Sequence, residues 1–200
     1  MDPAVQRKLI EQVANAVISH ADELTTLDQA IGDGDHGLNM KRGALAVLER
    51  LDDLAAKPLP DALKAAGQTL VMKVGGASGP LYGTLLMTLG TNLPAAPSEN
   101  DLAHAVGMAV NAVKKIGRSD VGQKTMLDVL GPVHEELAHG GDGLIDRVRQ
   151  RGVVAADATV PMRAIKGRAS FLGERSIGHM DPGARSSALM IAAICTVMEE

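Results

Sequence analysis

The stretch HADELTTLDQAIGDGDHG, residues 20–37, decides between two fold classes for this chain. Its last six residues match the fingerprint G-x-G-x-x-G, which in a dinucleotide-binding α/β fold follows a buried strand and opens a helix. The residues before it, HADELTTLDQAI, lack the apolar alternation of a strand. The glycine-rich segment is therefore predicted to follow a helix, and a doubly wound dinucleotide-binding fold is improbable.

Two aspartates, Asp33 and Asp35, lie inside this fingerprint, where a pyrophosphate would approach. Two unit charges about 4 Å apart interact by roughly 4 kcal/mol at the effective dielectric of a protein surface. Carboxylates in a bare phosphate loop would repel the ligand. Either the loop binds no phosphate, or a cation lies between the carboxylates and the phosphate.

Helical periodicity dominates the rest of the chain. Apolar residues recur at spacings of three and four in eight segments, at 4–24, 38–56, 61–74, 83–93, 101–117, 124–140, 144–160 and 184–200. Aromatic residues, which are common in sheets, make up only 1% of the chain. The sequence contains no repeat or interdomain linker, so it predicts one all-α domain of about eight helices over residues 1–200.

Composition excludes several classes of protein. The net charge of −4 and the pI near 5.9 give no excess of cations to neutralise a nucleic-acid backbone. No apolar run approaches the roughly 20 residues of a membrane span, and the N-terminal MDPAVQRKLIEQV lacks the apolar region of a signal peptide. The single cysteine, Cys195, lies in an apolar run and is expected to be buried and inert. We therefore expect a cytoplasmic protein that binds neither nucleic acid nor membrane.

Three aspartates in the acidic loop have metal-ligand character. Asp28, Asp33 and Asp35 are spaced D-x4-D-x-D among three glycines, and hard oxygen ligands of this kind select Mg²⁺, Mn²⁺ or Ca²⁺. An EF-hand fits poorly, because its twelfth loop position would be Asn39 counted from Asp28. Magnesium fits better, since it binds a few carboxylates and completes its shell with water and phosphate. The alternative is an exposed turn in which an aspartate caps a helix.

Three further loops carry polar or glycine-rich sequence. KVGGASGPLYGT, residues 73–84, leads into a helical run and suits an anion at a helix N-terminus, or is only a connection. GRSDVGQKT, residues 117–125, is not a Walker A motif, and its Lys124 either contacts a nucleotide or lies in solvent. In the long segment 166–187, Arg168 is a candidate phosphate ligand or surface ion pair, and Asp181 followed by Pro182 predicts a helix start.

Four blocks together resemble a known family. DQAIGDGDHGLNM, GGASGPLYGT, GQKTMLDVL and ASFLGERSIGHMDPGARSS are similar, in order and over most of the chain, to the nucleotide-binding L subunit of dihydroxyacetone kinases. The resemblance implies an antiparallel barrel or bundle of eight helices with an ADP site in the loops at one end. It also implies that two Mg²⁺ ions join an aspartate triad to the phosphates. Three carboxylates and an ADP carry about −6, which two such ions largely offset.

The resemblance assigns roles to individual residues. The metal ligands would be Asp28, Asp33 and Asp35, which with His36 would also form the catalytic set. The phosphate side would be lined by His36, Gly37, Leu38, Asn39, Ala77 and Ser78. The adenosine side would be formed by Gly117, Met126, Arg168, Asp181, Pro182 and Gly183.

The family divides by phosphoryl donor. In one branch the L portion is fused to a substrate-binding K portion and uses exchangeable ATP. In the other, a separate L subunit of about this length keeps ADP as a cofactor, which an M-type phosphohistidine protein of the phosphotransferase system rephosphorylates. The L subunit then passes the phosphoryl group to dihydroxyacetone on a K-type subunit. The chain has no room for a K domain, so we expect the second branch.

Two other functions stay open from the sequence. The chain could serve an ATP-dependent ketose or tetrose kinase, or act as an ADP-loaded regulatory module for a transcription factor. The sequence also leaves open which triose or tetrose is the acceptor, and whether the chain forms a homodimer.

Overall fold

The computed structural model describes residues 1–200 and contains only helices, turns and loops. Ten α-helices follow one another, at Pro3–Ser19 (α1), Ala21–Ile31 (α2), His36–Leu48 (α3), Leu51–Ala55 (α4), Leu59–Lys73 (α5), Ser78–Asn92 (α6), Glu99–Gly117 (α7), Leu127–His139 (α8), Leu144–Asp157 (α9) and Pro182–Met198 (α10). A short 3₁₀ segment at Arg168–Ser176 is interrupted at Gly173. The all-α prediction is confirmed.

The helix count differs from the predicted eight because two apolar segments each form two helices. The first breaks at His20, whose ring Nδ1 lies 2.8 Å from the carbonyl oxygen of Ala16. The second breaks at Arg50, which donates to the hydroxyl of Thr69 and the carboxylate of Asp53. The predicted irregular segment 166–187 also contains the 3₁₀ turns and the first residues of α10. These breaks depend on side-chain contacts that apolar periodicity does not record.

Eight of the helices pack in a closed ring. Each member contacts the next in the order α1, α3, α5, α6, α7, α8, α9, α10, and α10 contacts α1 again. The short helices α2 and α4 lie outside the ring, where α2 packs on α3 and α10, and α4 packs on α1 and α5. No helix has the length and hydropathy of a membrane span.

Small and aliphatic side chains fill the interior of the ring. One buried cluster joins residues of five helices, namely Ala14, Val17, Met40, Ala44, Tyr82, Val110, Val113, Met126, Leu127 and Leu130. A second joins α8, α9 and α10 and includes Cys195, which is buried as expected. Many core positions are alanine, so neighbouring helices can approach closely.

Candidate functional site

Four connections meet at one end of the ring. They are the α2–α3, α5–α6, α7–α8 and α9–α10 connections, and all of them contribute residues to one pocket. The four loops that the sequence singled out are thus brought together. The pocket is lined by Asp28, Ile31, Asp33, Asp35, His36, Gly76, Ala77, Ser78, Leu81, Tyr82, Lys124, Thr125, Met126, Lys166, Gly167, Arg168, Ala169, Asp181, Pro182 and Gly183.

The three aspartates of the acidic loop converge. One carboxylate oxygen each from Asp28, Asp33 and Asp35 lies within 4.8 Å of the others, a spacing that a divalent cation can bridge. Asp28 is buried, whereas Asp33 and Asp35 are exposed. The donor set is hard and anionic, so it fits Mg²⁺ and offers no ligand that a softer metal would prefer.

Asp28 also organises the loop. Its Oδ2 accepts hydrogen bonds from the backbone N–H groups of Asp35 (2.8 Å) and His36 (3.0 Å), and so satisfies free donors at the start of α3. Gly32 is required beside it, because a Cβ there would lie 2.0 Å from Asp28 Oδ1. Gly34 has φ +75°, which glycine adopts readily. The glycines therefore let the chain fold tightly around the buried carboxylate.

Arg168 pairs with the acidic cluster. Its Nε lies 2.9 Å from Asp33 Oδ2, although the Arg168 side chain is 68% exposed. An ion pair this exposed is weak, on the order of 1 kcal/mol or less. Arg168 can therefore leave Asp33 for a phosphate without much cost.

His36 is part of a buried hydroxyl network. Its Nδ1 lies 3.1 Å from the hydroxyl of Ser78, and its Nε2 lies 2.9 Å from the hydroxyl of Ser186. The hydroxyl of Tyr82 lies 2.8 Å from Ser186 and 2.9 Å from Ser187. Burial lowers the pKa of His36, although Asp28 and Asp35 oppose the shift, and burial raises the pKa of Tyr82 to about 12. The network therefore fixes the Ser78 hydroxyl at the start of α6.

The turn at the start of α10 forms another wall of the pocket. Asp181 caps the helix, since its Oδ2 accepts a hydrogen bond of 2.7 Å from the N–H of Ala184, and Pro182 is the first helical residue. The predicted helix start is confirmed. Burial raises the pKa of Asp181 to about 7, with Asp128 adding to the shift and Lys124 opposing it.

Four of the predicted site residues lie outside the pocket lining. Gly37 faces α2, where a Cβ would meet the carbonyl oxygen of Ala21 at 1.9 Å. Leu38 is 59% exposed, Asn39 is buried beside Gly75, and Gly117 ends α7 next to Leu81. The other eleven predicted residues line the pocket.

Lys124 lies in the pocket wall and not in solvent. Its side chain is buried, and its Nζ donates to the carbonyl oxygens of Val160 (3.5 Å), Met162 (3.0 Å), Ser176 (2.7 Å) and His179 (2.5 Å). Of the two alternatives that the sequence left open for Lys124, a position in solvent is excluded, because the loop after α9 encloses the ammonium group. Sequence reasoning also missed Tyr82, the chain's one tyrosine, which lies in the segment 73–84 whose glycines, and not its tyrosine, suggested a function.

Comparison with known proteins gives consistent matches. The DAK2 domain family matches residues 30–196. A relative from Listeria innocua, named PEP-dependent dihydroxyacetone kinase 1, ADP-binding subunit DhaL, is 45% identical over 172 residues, which are 86% of this chain and 84% of the relative. The ADP-binding subunit DhaL of the PEP-dependent dihydroxyacetone kinase from Escherichia coli is 40% identical over 91% of this chain and 90% of its own length.

A crystal structure has the same fold. The dihydroxyacetone kinase from C. freundii, in complex with AMP-PNP and Mg²⁺, superimposes with a TM-score of 0.81 at 23% identity. The match covers 96% of this chain and 34% of that one, so the present chain spans about a third of the longer protein. Together the matches confirm the resemblance to L subunits that the four sequence blocks indicated.

Proposed function

Because the chain belongs to the DAK2 domain family, we propose that it is the ADP-binding subunit of a phosphoenolpyruvate-dependent dihydroxyacetone kinase. In this function it is a phosphotransferase component that carries a phosphoryl group from an M-type phosphohistidine protein, through bound ADP, to dihydroxyacetone on a K-type subunit. The observation that carries the proposal is the 40–45% identity to ADP-binding subunits over 84–90% of their length. Residues 1–200 form one such domain, an antiparallel eight-helix barrel with its site at one end.

The acidic loop holds the cation side of the site. Asp28, Asp33 and Asp35 are the proposed ligands of two Mg²⁺ ions, and their convergence within 4.8 Å supports this role. When bound, the ions neutralise phosphate charge and polarise the transferred phosphoryl group. Asp28 has a second task, since it holds the start of α3 by two backbone hydrogen bonds.

The N-terminal ends of α3 and α6 form the proposed phosphate side. Ala77 and Ser78 begin α6, where free backbone N–H groups and the helix dipole favour an anion. His36 holds the Ser78 hydroxyl in place through Nδ1, and its Nε2 is engaged by Ser186. Gly37 contributes by letting α3 approach α2, so that the acidic loop stays at the mouth of the ring.

The remaining walls form the proposed adenosine side. Met126 and the turn Asp181–Gly183 line the same pocket as the acidic loop, and Arg168 pairs with Asp33 of that loop. An arginine there can pair with a phosphate instead of Asp33, which balances the charge of a bound nucleotide. Gly117 flanks these walls, whereas Leu38 and Asn39 belong to the proposed phosphate side, where Asn39 lies beside Gly75.

A donor assay tests the proposed function. The chain is combined with a K-type subunit and dihydroxyacetone, and phosphorylation is driven either by phosphoenolpyruvate through an M-type protein or by ATP alone. We expect dihydroxyacetone phosphate to form at a substantial rate only with the phosphohistidine donor. Full turnover on ATP alone would instead assign the chain to an ATP-dependent ketose or tetrose kinase.

A further inference from the structure

The segment between α9 and α10 leaves the helical ring and returns to it at nearly the same point. Near its start, the carbonyl oxygen of Val160 accepts a hydrogen bond of 2.9 Å from the N–H of Gly178. The hydroxyl of Thr159 accepts one of 3.1 Å from the N–H of Asp181. Residues 160–179 therefore form a loop with a closed neck, which we call the arginine loop because its outer part carries Arg168.

Lys124 fills this neck from the neighbouring connection. Its Nζ donates to the carbonyl oxygens of Val160 and Met162 in the first part of the loop, and to those of Ser176 and His179 in its last part. These acceptors are far from Lys124 in sequence and on opposite sides of the neck. The ammonium group therefore holds the two ends of the arginine loop together, in the way that a bound cation would.

The surroundings of Lys124 indicate that its contacts with the neck are specific and not a by-product of burial. Burying an ammonium group costs several kcal/mol unless its donors are satisfied, and here carbonyl oxygens surround it. Lys124 also has φ +60°, a left-handed conformation that costs a non-glycine residue about 1 kcal/mol or more. Burial lowers the pKa of Lys124, while Asp181 opposes that shift and so favours the charged form.

The residues on either side of this neck line the pocket. Lys166, Gly167 and Arg168 line the pocket from the outer part of the arginine loop. The turn Asp181–Gly183, which also lines it, follows directly after the end of that loop. Thr125 and Met126, the next residues after Lys124, line the same pocket. One side chain thus connects the elements that form the proposed adenosine side.

We propose that Lys124 is a positioning residue for the nucleotide, which closes the neck of the arginine loop and so holds Arg168 and the turn Asp181–Gly183 against the acidic loop. The inference rests on the proposed function in so far as the ligand is ADP with Mg²⁺. Lys124 itself touches backbone carbonyls and takes no part in phosphoryl transfer.

The test compares two side chains of equal length that differ in charge. Lys124→Cys is made in a Cys195→Ala chain, and the unfolded protein is alkylated with 2-bromoethylamine or with 1-bromopropane before refolding. The first reagent restores an ammonium group, and the second leaves a methyl group in its place. Affinity for ADP with Mg²⁺ is measured by calorimetry, and amide hydrogen exchange is measured on the nucleotide-free chains. Lys115→Met, which removes an exposed lysine from the end of α7, is the control for loss of a positive charge.

We expect the aminoethyl chain to bind ADP as the Cys195→Ala parent does, and the propyl chain to bind at least about tenfold more weakly, equivalent to ~1.4 kcal/mol. Exchange should accelerate in the propyl chain over residues 158–183 and stay unchanged in α1, α3, α5, α6 and α7. Equal ADP affinity of the two alkylated chains, or no recovery with the aminoethyl group, would overturn the inference.

A propyl chain that fails to refold, or loses exchange protection throughout, would also overturn it, because Lys124 would then serve general stability. The exchange measurement needs no nucleotide. A parent chain that binds no ADP would therefore contradict the proposed function alone, and the effect of the ammonium group on the arginine loop would still be decided.

Discussion

Asp35 offers a direct test of the acidic cluster, because it has fewer structural tasks than its neighbours. Asp28 holds the start of α3 and Asp33 pairs with Arg168, whereas the Asp35 carboxylate does not cap α3. Asp35→Asn should reduce ADP affinity in Mg²⁺ by at least about tenfold, or ~1.4 kcal/mol, since a proposed ligand of the metal is lost.

Calorimetry with and without chelator measures this effect, and far-UV circular dichroism checks that helix content is unchanged. Asp142→Asn is the matched control. It removes the same charge from an exposed residue in the α8–α9 connection. Unchanged ADP binding in Asp35→Asn would refute the metal role of the cluster.

Asp181 should make stability depend on pH. Its folded-state pKa is raised to about 7 by burial, so between about pH 4 and 7 the folded state binds a proton that the unfolded state has released. Ionisation of Asp181 therefore lowers the free energy of unfolding as pH rises through this window. Lys124 and Asp128 are the charged groups that act on it, in opposite directions.

Asp181→Asn keeps a side chain that can cap α10 and removes the titration. The free energy of unfolding of the variant, minus that of the wild-type protein, should rise between pH 4 and 7 and stay level at higher pH. Urea denaturation over this pH range measures the difference. A difference that does not change with pH would mean that Asp181 ionises normally in the folded protein.

At the scale of single residues, the sequence was informative where the chemistry is local. Asp28, Asp33 and Asp35 lie within eight positions among glycines, so their convergence could be predicted from spacing. The acceptors of Lys124 lie 36 to 55 positions away and are backbone carbonyls, which carry no sequence signal. The network of His36, Ser78 and Ser186 could not be predicted from the sequence either, because its members lie far apart in sequence on three helices.

Among the elements, the contact between α2 and α3 positions the acidic loop. A Cβ on Gly37 would lie 1.9 Å from the carbonyl oxygen of Ala21 and 2.3 Å from the hydroxyl of Thr25, so the two helices could not keep their separation. Gly37→Ala should lower the free energy of unfolding by about 2 kcal/mol or more and weaken ADP binding, because overpacking displaces α3.

The same substitution at Gly152, within α9, provides the control. A Cβ there would meet its nearest atom at 3.6 Å, an ordinary contact, so Gly152→Ala should stabilise the protein by about 0.5–1 kcal/mol through helix propensity. Urea denaturation of both variants compares the two sites. Equal effects at Gly37 and Gly152 would show that the α2–α3 contact does not limit the approach of the helices.

Helix positions could be predicted from sequence, but helix breaks could not. Each of the eight periodic segments overlaps a helix of the structure, because apolar spacing reflects the face that each helix buries, although α6 begins at Ser78, ahead of the segment 83–93 that predicted it. The breaks at His20 and Arg50 contain neither glycine nor proline. Arg50 reaches Thr69, nineteen residues away, so its stabilising contact exists only after α5 has packed.

The molecule as a whole should respond to ADP only through the metal. A ligand that binds the folded state at a hundredfold excess over its Kd adds about 2.7 kcal/mol, which raises the Tm of a chain of this size by about 5–10 °C. We expect this rise with ADP and Mg²⁺ together and little change with ADP in excess EDTA, because the carboxylates of the acidic loop then repel the phosphates. An equal rise in EDTA would rule out metal bridging.

The arrangement of the ring also predicts how tightly ADP is held. Four connections at one end of the ring contribute to the pocket, so the proposed ADP site can contact its ligand through the acidic loop, the start of α6 and the turn Asp181–Gly183. Affinity gained from several such contacts appears mainly as slow dissociation. ADP should therefore remain on the protein during purification and act as a cofactor that is rephosphorylated in place.

Mass spectrometry of the freshly purified, denatured chain should detect ADP near one equivalent, with Mg²⁺ found by elemental analysis of the folded protein. With the phosphohistidine donor and a K-type subunit, the same preparation should turn over without added nucleotide. Asp35→Asn, purified in parallel, should lack ADP, which separates specific retention from nonspecific carry-over. An empty wild-type site together with full activity on ATP alone would mean that ADP leaves as a product, because the loops would then exchange nucleotide faster than the catalytic cycle.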